Sequence, residues 1–410
     1  MSSVKARAAS LAIYRRVYLM TAVLLAAAHP VSAGELHQFA GSAFQSFTLE
    51  GVTVKSGALS LDTSAAEKVT DADGPAKGRT YYRGTATSRP VAVEGGFREI
   101  VLSWNADCPQ GSWIVLEARA SRKSGWTEWF NMGVWAADDF VVKRTHLAKQ
   151  NTPEGRVNTD TLVLKDDCSE AQVRISLCSL SSAMTPAVRR LFCDFTPAKP
   201  AADADPPSGA PEAVLNVPEI SQLSYPPRGG VWCSPTSVTM VMNYWAAKMN
   251  KKEWETDVRA AAAGISDEAW GGTGNWSFNA AYAGSRPGLV AYCERMSGLG
   301  EAERWIRAGI PVILSISANV LHGRGTSGGG HLIVCVGFDS KGDAICNDPY
   351  ARLDDGQKVR RVYGRESLRK AWANSRFAAY LIYPEALKLP EGMGPTQAAP
   401  EATPAARPGS

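Results

Sequence analysis

Between residues 97 and 195 apolar residues recur in short runs with a period of two. In Gln172-Val-Arg-Ile-Ser-Leu-Cys178, Val173, Ile175 and Leu177 fall on one face and Arg174 and Ser176 on the other. Phe97–Trp104 and Ser112–Ala120 are similar β-prone runs separated by a Pro/Gly turn, and Ala187–Phe195 follows Pro186. Regularly spaced short strands without helical periodicity predict an all-β sandwich over 36–196. Its Trp104, Trp113, Trp126, Trp129 and Trp135 read mainly as core fillers, since aromatics bury large areas; a sugar-stacking platform is the competing reading.

Beyond residue 212 the period changes. Val238, Val241, Met242 and Trp245 repeat at helical spacing, and helices are expected at Pro235–Lys248, Lys251–Ala262 and Leu299–Ala308. Strands follow at Val312–Ser317, His331–Phe338, Ala344–Asn347 and Ala378–Tyr383. Helices leading into an antiparallel sheet predict an α+β domain over 213–386. Between the two patterns, 197–212 is Pro/Ala/Asp-rich and reads as an extended linker, while 387–410 reads as a disordered Pro/Ala-rich tail.

The first 33 residues follow neither pattern. Lys5, Arg7, Arg15 and Arg16 precede the apolar run Val17–Ala28, and Val31-Ser32-Ala33 offers a small-residue cleavage site. These are the parts of an export signal cleaved near Ala33, and the run falls short of the roughly 20 apolar residues that span a bilayer. The mature chain is therefore expected outside the cytoplasm, without a membrane span. With 44 basic against 40 acidic residues, the net charge of +4 gives no reason to expect nucleic acid as a partner. Eight cysteines in an exported chain raise the prospect of disulfides, with connectivity open. Only five histidines and no CxxC pair are present, so neither a structural metal nor a cofactor is expected.

Chemistry concentrates in the second half. In Val231-Trp-Cys-Ser-Pro235, Pro235 suits a first helical turn, which puts Cys233 just ahead of a helix N-terminus. There the helix dipole and free N–H groups favour thiolate over thiol. Gly229-Gly230 permits a sharp approach turn. A thiol nucleophile needs a base, and the region offers His322, in a glycine-rich loop, and His331, which opens a strand after Gly328-Gly329-Gly330. His331 is the stronger candidate. Asp339–Asp343 reads as a hairpin turn; if Phe338 faces Asp343, then Asp348 faces Ile333 and shares the face of His331. Asp348 rather than Asn347 would then orient the imidazole. The same register sets Cys335 opposite Cys346, where a cross-strand disulfide or two small buried hydrophobes are equally consistent. Gln222, eleven residues before Cys233, could donate its amide to an oxyanion.

Taken together, a Gln shortly before a helix-capping Cys, then Gly328-Gly-Gly-His-Leu-Ile-Val-Cys-Val-Gly-Phe-Asp339, then Asn347-Asp-Pro-Tyr-Ala351, resembles the bacteriocin-leader peptidase superfamily, peptidase family C39 and its stand-alone relatives. Asn275–Gly284 and Ile306–Ser317 resemble exported members of that group, and the likeness covers about residues 215–385. It implies a papain-like cysteine peptidase in which Cys233 is nucleophile, His331 base, Asp348 the orienting acid and Gln222 the oxyanion donor. More loosely, the sandwich resembles the accessory half of such proteins. The best-known members are fused to a peptide exporter and cut after a double glycine. This chain shows neither a membrane span nor a nucleotide-binding P-loop, so no substrate follows beyond a peptide or protein. A cell-wall amidase or acyl transferase using the same thiol is the nearest alternative. A catalytically silent peptide- or carbohydrate-binding protein is a third, and in any of these the N-terminal region would offer a contact with the cell wall.

Overall fold

The computed structural model describes residues 34–199, 209 and 212–398. The expected export signal, most of the expected linker and residues 399–410 lie outside the described residues.

Residues 35–196 are β-rich. Two long strands dominate, Val91–Asp107 and Thr161–Ser179, and both change partners along their length. The first half of Thr161–Ser179 pairs with Val91–Asp107; its second half lies between Ser112–Arg122 and Thr80–Thr87. Register breaks at Val163/Cys168 and Cys168/Glu170 mark the change, as β-bulges do where a strand bends. The predicted alternation is realised here: Val173, Ile175 and Leu177 are buried, while Arg174 turns outward and pairs with Glu117 directly across the ladder at 2.7 Å. Trp104, Trp113 and Trp135 are core residues. Trp126 and Trp129 are half-buried and capped by cations, with Arg119 4.8 and 4.6 Å from their ring centres and Arg174 4.4 Å from that of Trp129.

Residues 213–386 combine helices with a seven-stranded sheet. The helices are α1 (Cys233–Met249), α2 (Val258–Ile265), α3 (Trp276–Gly284), α4 (Leu299–Arg307), the short α5 (Ala318–Leu321) and α6 (Arg365–Ala373). From one edge the sheet runs Leu289–Arg295, Ala378–Pro384, Val312–Ser317, Gly330–Phe338, Ala344–Asn347, Arg360–Tyr363, each neighbour antiparallel, and the seventh strand, Ala213–Val214, pairs antiparallel with the end of Gly330–Phe338. α1 is buried on nearly every side, as befits a central helix, and ends at Asn250 in the left-handed conformation (φ 52°). The expected helix Lys251–Ala262 is instead a 3-10 turn, Lys252–Trp254, followed by α2. Asp257 separates them by accepting the N–H groups of Arg259 and Ala260, which starts a new helix.

The β-rich region and the α+β region share one continuous apolar core. α3 lies at their junction, because its sequence carries apolar residues all round: Phe278 meets Trp104 at 6.1 Å and Trp135 at 5.6 Å. Polar contacts fix the same junction. Asn105 Nδ2 donates to the Ala291 carbonyl at 2.6 Å, Ser277 Oγ to that of Leu102, and the buried Arg295 joins Glu99 at 2.6 Å. Residues 387–398, placed in the tail by composition, pack on this core through Leu387, Leu389 and Met393. Thr396–Gln397 then pair in parallel with Glu35–Ala40. The apolar residues spaced among the prolines hold this stretch in place. Phe278→Ala should destabilise the chain by about 3–5 kcal/mol, the usual cost of emptying a buried aromatic site. Urea denaturation followed by tryptophan fluorescence checks this, and an unchanged midpoint would mean the junction is not stabilising.

Candidate active site

The approach to Cys233 is built by two 3-10 turns, Gln222–Ser224 and Gly229–Val231. Ser221 caps the first by accepting the Leu223 N–H at 3.2 Å. Gly229 is required at the second: a Cβ there would lie 2.0 Å from the Gln222 carbonyl oxygen. This close approach lets Gln222 Nε2 donate to the Gly229 carbonyl at 2.8 Å, fixing the buried amide beside the start of α1. The backbone N–H of Gln222 donates to Pro349 O at 2.9 Å, tying the approach loop to the segment after Asp348.

Cys233 is the first residue of α1, and the preceding Trp232 provides no side-chain cap. Its thiol interacts electrostatically with His331 and with the backbone at Leu332 and Ser234. Desolvation pushes the thiol pKa up, but these interactions outweigh it and hold the pKa below the ordinary thiol value. Ser234 Oγ is itself anchored to Asn279 Oδ1 at 2.8 Å, linking the nucleophile turn to α3.

His331 stands second in its strand, behind Gly330. Its Nε2 lies 2.8 Å from Asp348 Oδ1, which leaves Nδ1 for the thiol. Asp348 Oδ1 also accepts the Tyr350 N–H at 2.8 Å, while Oδ2 accepts Tyr363 Oη at 2.6 Å and is approached by Arg361 Nη1 at 3.5 Å. Burial opposes charge on both partners. Even so, the Asp348 bond and the Cys233 contact raise the His331 pKa to about 10, and the His331 bond and charge hold Asp348 below its usual value. The stability contributed by charged His331 is complete below pH 6.5 and is lost as pH rises through about 10; that of Asp348 is complete above 3.8 and is lost as pH falls through its lowered value.

The hairpin reaches this arrangement by a route the sequence did not indicate. Phe338 faces Ala344, not Asp343, because Asp339 closes the turn by accepting the N–H groups of both Lys341 and Asp343 at 2.9 Å. A register shift between Cys335 and Gly337 then absorbs one residue, so Cys335 faces Cys346 and Val334 faces Asn347, as expected. Cys335 and Cys346 are buried free thiols, as are the other cysteines apart from half-buried Cys233, also free. Asn347 points away from His331: its Nδ2 donates to the Val217 and Pro218 carbonyls and its Oδ1 accepts Arg360 Nε at 3.0 Å.

Cys233, His331, Asp348 and Gln222 line one cleft of about 1200 Å³. One wall is the loop Trp270–Gly274 with Trp276; the other carries Asn319, His322 and Arg324. The first wall depends on the β-rich region, since His146 Nδ1 bonds the buried Asp267 at 2.9 Å and Asp160 Oδ2 accepts the Trp276 N–H at 2.6 Å. His322 lines the cleft, and its backbone N–H donates to the Ala318 carbonyl at 3.1 Å. Sequence reasoning missed Tyr363 and Arg361. Their signal was the alternation in Arg360-Arg-Val-Tyr363, which sets both on the face toward Asp348.

These features accompany a family assignment. Residues 214–380 match the Peptidase_C39 like family, and residues 35–193 match the Peptidase C39 N-terminal domain. The chain is thus similar to C39-like peptidases over its second half and to their N-terminal domain over its first. Among solved structures, a C39-like peptidase from Bacillus anthracis is 18% identical, covering 42% of this chain and 98% of that one with a TM-score of 0.29. A structure of carbohydrate-binding modules from the β-sandwich superfamily is 15% identical, covering 37% of this chain and 56% of that one with a TM-score of 0.15. Similarity at these scores adds nothing to the family matches. No curated protein gives a significant match.

Iodoacetamide should alkylate Cys233 ahead of the other thiols, with an inflection in rate below the pH of an ordinary thiol, about 8.5. His331→Ala should move that inflection upward, because desolvation is then left with less to oppose it. Mass spectrometry of the labelled protein across pH measures both, and an inflection unmoved by His331→Ala would show the two groups are uncoupled. Asn347→Ala should leave the inflection in place and cost about 1–3 kcal/mol of stability, the usual result of orphaning buried partners. Asp348→Ala should shift the inflection.

Proposed function

We propose that this chain is an exported cysteine peptidase that hydrolyses peptide bonds through a thioester. The observation that carries this reading is the His331–Asp348 hydrogen bond in the same cleft as Cys233 at the start of α1, within a region that matches the C39-like family. In this mechanism the Cys233 thiolate attacks the scissile carbonyl carbon. The oxyanion is met by the Cys233 N–H and by the Gln222 amide, whose position Gly229 fixes. The imidazolium of His331 gives its proton to the leaving amine as the C–N bond breaks, leaving an acyl thioester on Cys233. Neutral His331 then takes a proton from water, which attacks the thioester, releases the acid and restores the thiolate–imidazolium pair. Asp348 holds the ring and stabilises its charged form, while Tyr363 and Arg361 hold Asp348. On this reading the α+β region is papain-like, the β-rich region is a sandwich, and the chain is exported with cleavage near Ala33.

Cys233→Ala should abolish hydrolysis of a fluorogenic peptide mixture while leaving the circular dichroism spectrum unchanged. Turnover near the unmodified rate would assign the nucleophile elsewhere. Gln222→Ala should lower kcat by about 10²–10³-fold, the usual effect of losing one oxyanion donor. An effect confined to KM would remove Gln222 from that role.

A further inference from the structure

The charges lining the cleft are uneven in a way the whole chain is not. The full sequence is nearly balanced, with 44 basic and 40 acidic residues. Yet Arg228, Arg324, Arg352 and Arg361 line the cleft, against Asp348 as its one carboxylate. That carboxylate is buried and its oxygens are already bonded to His331, Tyr363, the Tyr350 N–H and Arg361.

Arg361 is committed to Asp348, Lys358, Tyr350 and Gln357, but the other three arginines have donors left for a ligand. Arg324 makes no ion pair among the described residues and sits on the exposed loop after α5. Among the described residues the Arg352 guanidinium pairs with Asp355 at 3.8 Å, both side chains well exposed, a pair of little strength in water. Arg228 donates one bond to the Gly271 carbonyl at 3.3 Å, on the opposite wall. Among nearby acids, Glu268 is paired with Lys143 at 2.7 Å, while Asp354 lies exposed in the turn beside Asp355. Burial and the charge of Arg324 lower the His322 pKa, Asp348 opposes them, and Arg361 and His331 add to the lowering. A guanidinium fork suits a carboxylate, and a cleft of one sign concentrates ligands of the other.

Resting on the peptidase reading, we infer that the cleft selects acidic peptides, with Asp or Glu side chains near the scissile bond held by Arg324 and Arg352. The substrate class is thus an anionic peptide segment, and rejection of Lys- or Arg-rich segments follows from the same charges.

The test uses the full chain carrying Cys233→Ala and fluorescein-labelled peptides of equal length whose central residues are acidic, amide or basic. Fluorescence anisotropy should show the acidic peptide binding about tenfold more tightly than the amide one, as two partly exposed ion pairs together provide. The preference should shrink as salt is raised. Arg324→Gln and Arg352→Gln should each weaken acidic binding by about two- to fivefold and leave amide binding unchanged. The inference is overturned if no peptide binds, if amide or basic peptides bind as well as acidic ones, or if either variant weakens acidic and amide peptides alike. Turnover of the same peptides by the unmodified chain separates the two readings. Cleavage without charge preference sinks the acidic selection alone, whereas acidic binding without any cleavage sinks the peptidase reading and leaves the selection standing.

Discussion

The hydrogen bond between His331 and Asp348 couples the site to the fold around it. Without it the buried imidazole would lose charge to desolvation, and the thiol of Cys233, also opposed by desolvation, would lose its cationic neighbour. The bond needs both residues on one face of a hairpin, and that depends on the register shift between Cys335 and Gly337. It also needs the edge strand Arg360–Tyr363, whose Tyr363 and Arg361 occupy the second carboxylate oxygen. With its acceptor sites filled this way, Asp348 can stay ionised although buried.

A second constraint is the junction at α3. The helix carries Asn279, which anchors Ser234 next to the nucleophile, and its first N–H is capped by Asp160 from the β-rich region. On its other side Phe278 enters the aromatic cluster of Trp104 and Trp135. One short helix therefore joins the floor of the cleft to the core of the N-terminal region. The Asp267–His146 contact does the same for the loop that forms one wall. In this architecture the β-rich region is part of the support of the cleft, and its contribution to binding need not involve direct contact with a ligand.

The cleft brings Cys233, His331 and Asp348 together with four arginines, Arg228, Arg324, Arg352 and Arg361. On the proposed reading the paired groups would supply the chemistry, and the less committed arginines, Arg324 and Arg352, the selection.

Much of this was legible in one dimension, for local reasons. Period-two alternation at Val173, Ile175 and Leu177 defines a strand with one buried face whatever surrounds it. The helical spacing after Pro235 likewise sets Cys233 at a helix start, and the glycines before it indicate a tight approach. Cys233, His331, Asp348 and Gln222 could be named because each sits beside such a local signal. What the chain could not display were pairings between distant segments. The bulge at Val336 is invisible to a pattern of apolar residues, since Val336 and its neighbours are all apolar and either register buries them. The Tyr363 and Arg361 contacts to Asp348, the seat of Phe278 among tryptophans and the gathering of arginines from four separate loops and strands are likewise decided only when the chain closes. Alternation and capping act over a few residues and are written locally; register, shared cores and clefts depend on which segments meet, and only the tertiary structure decides that.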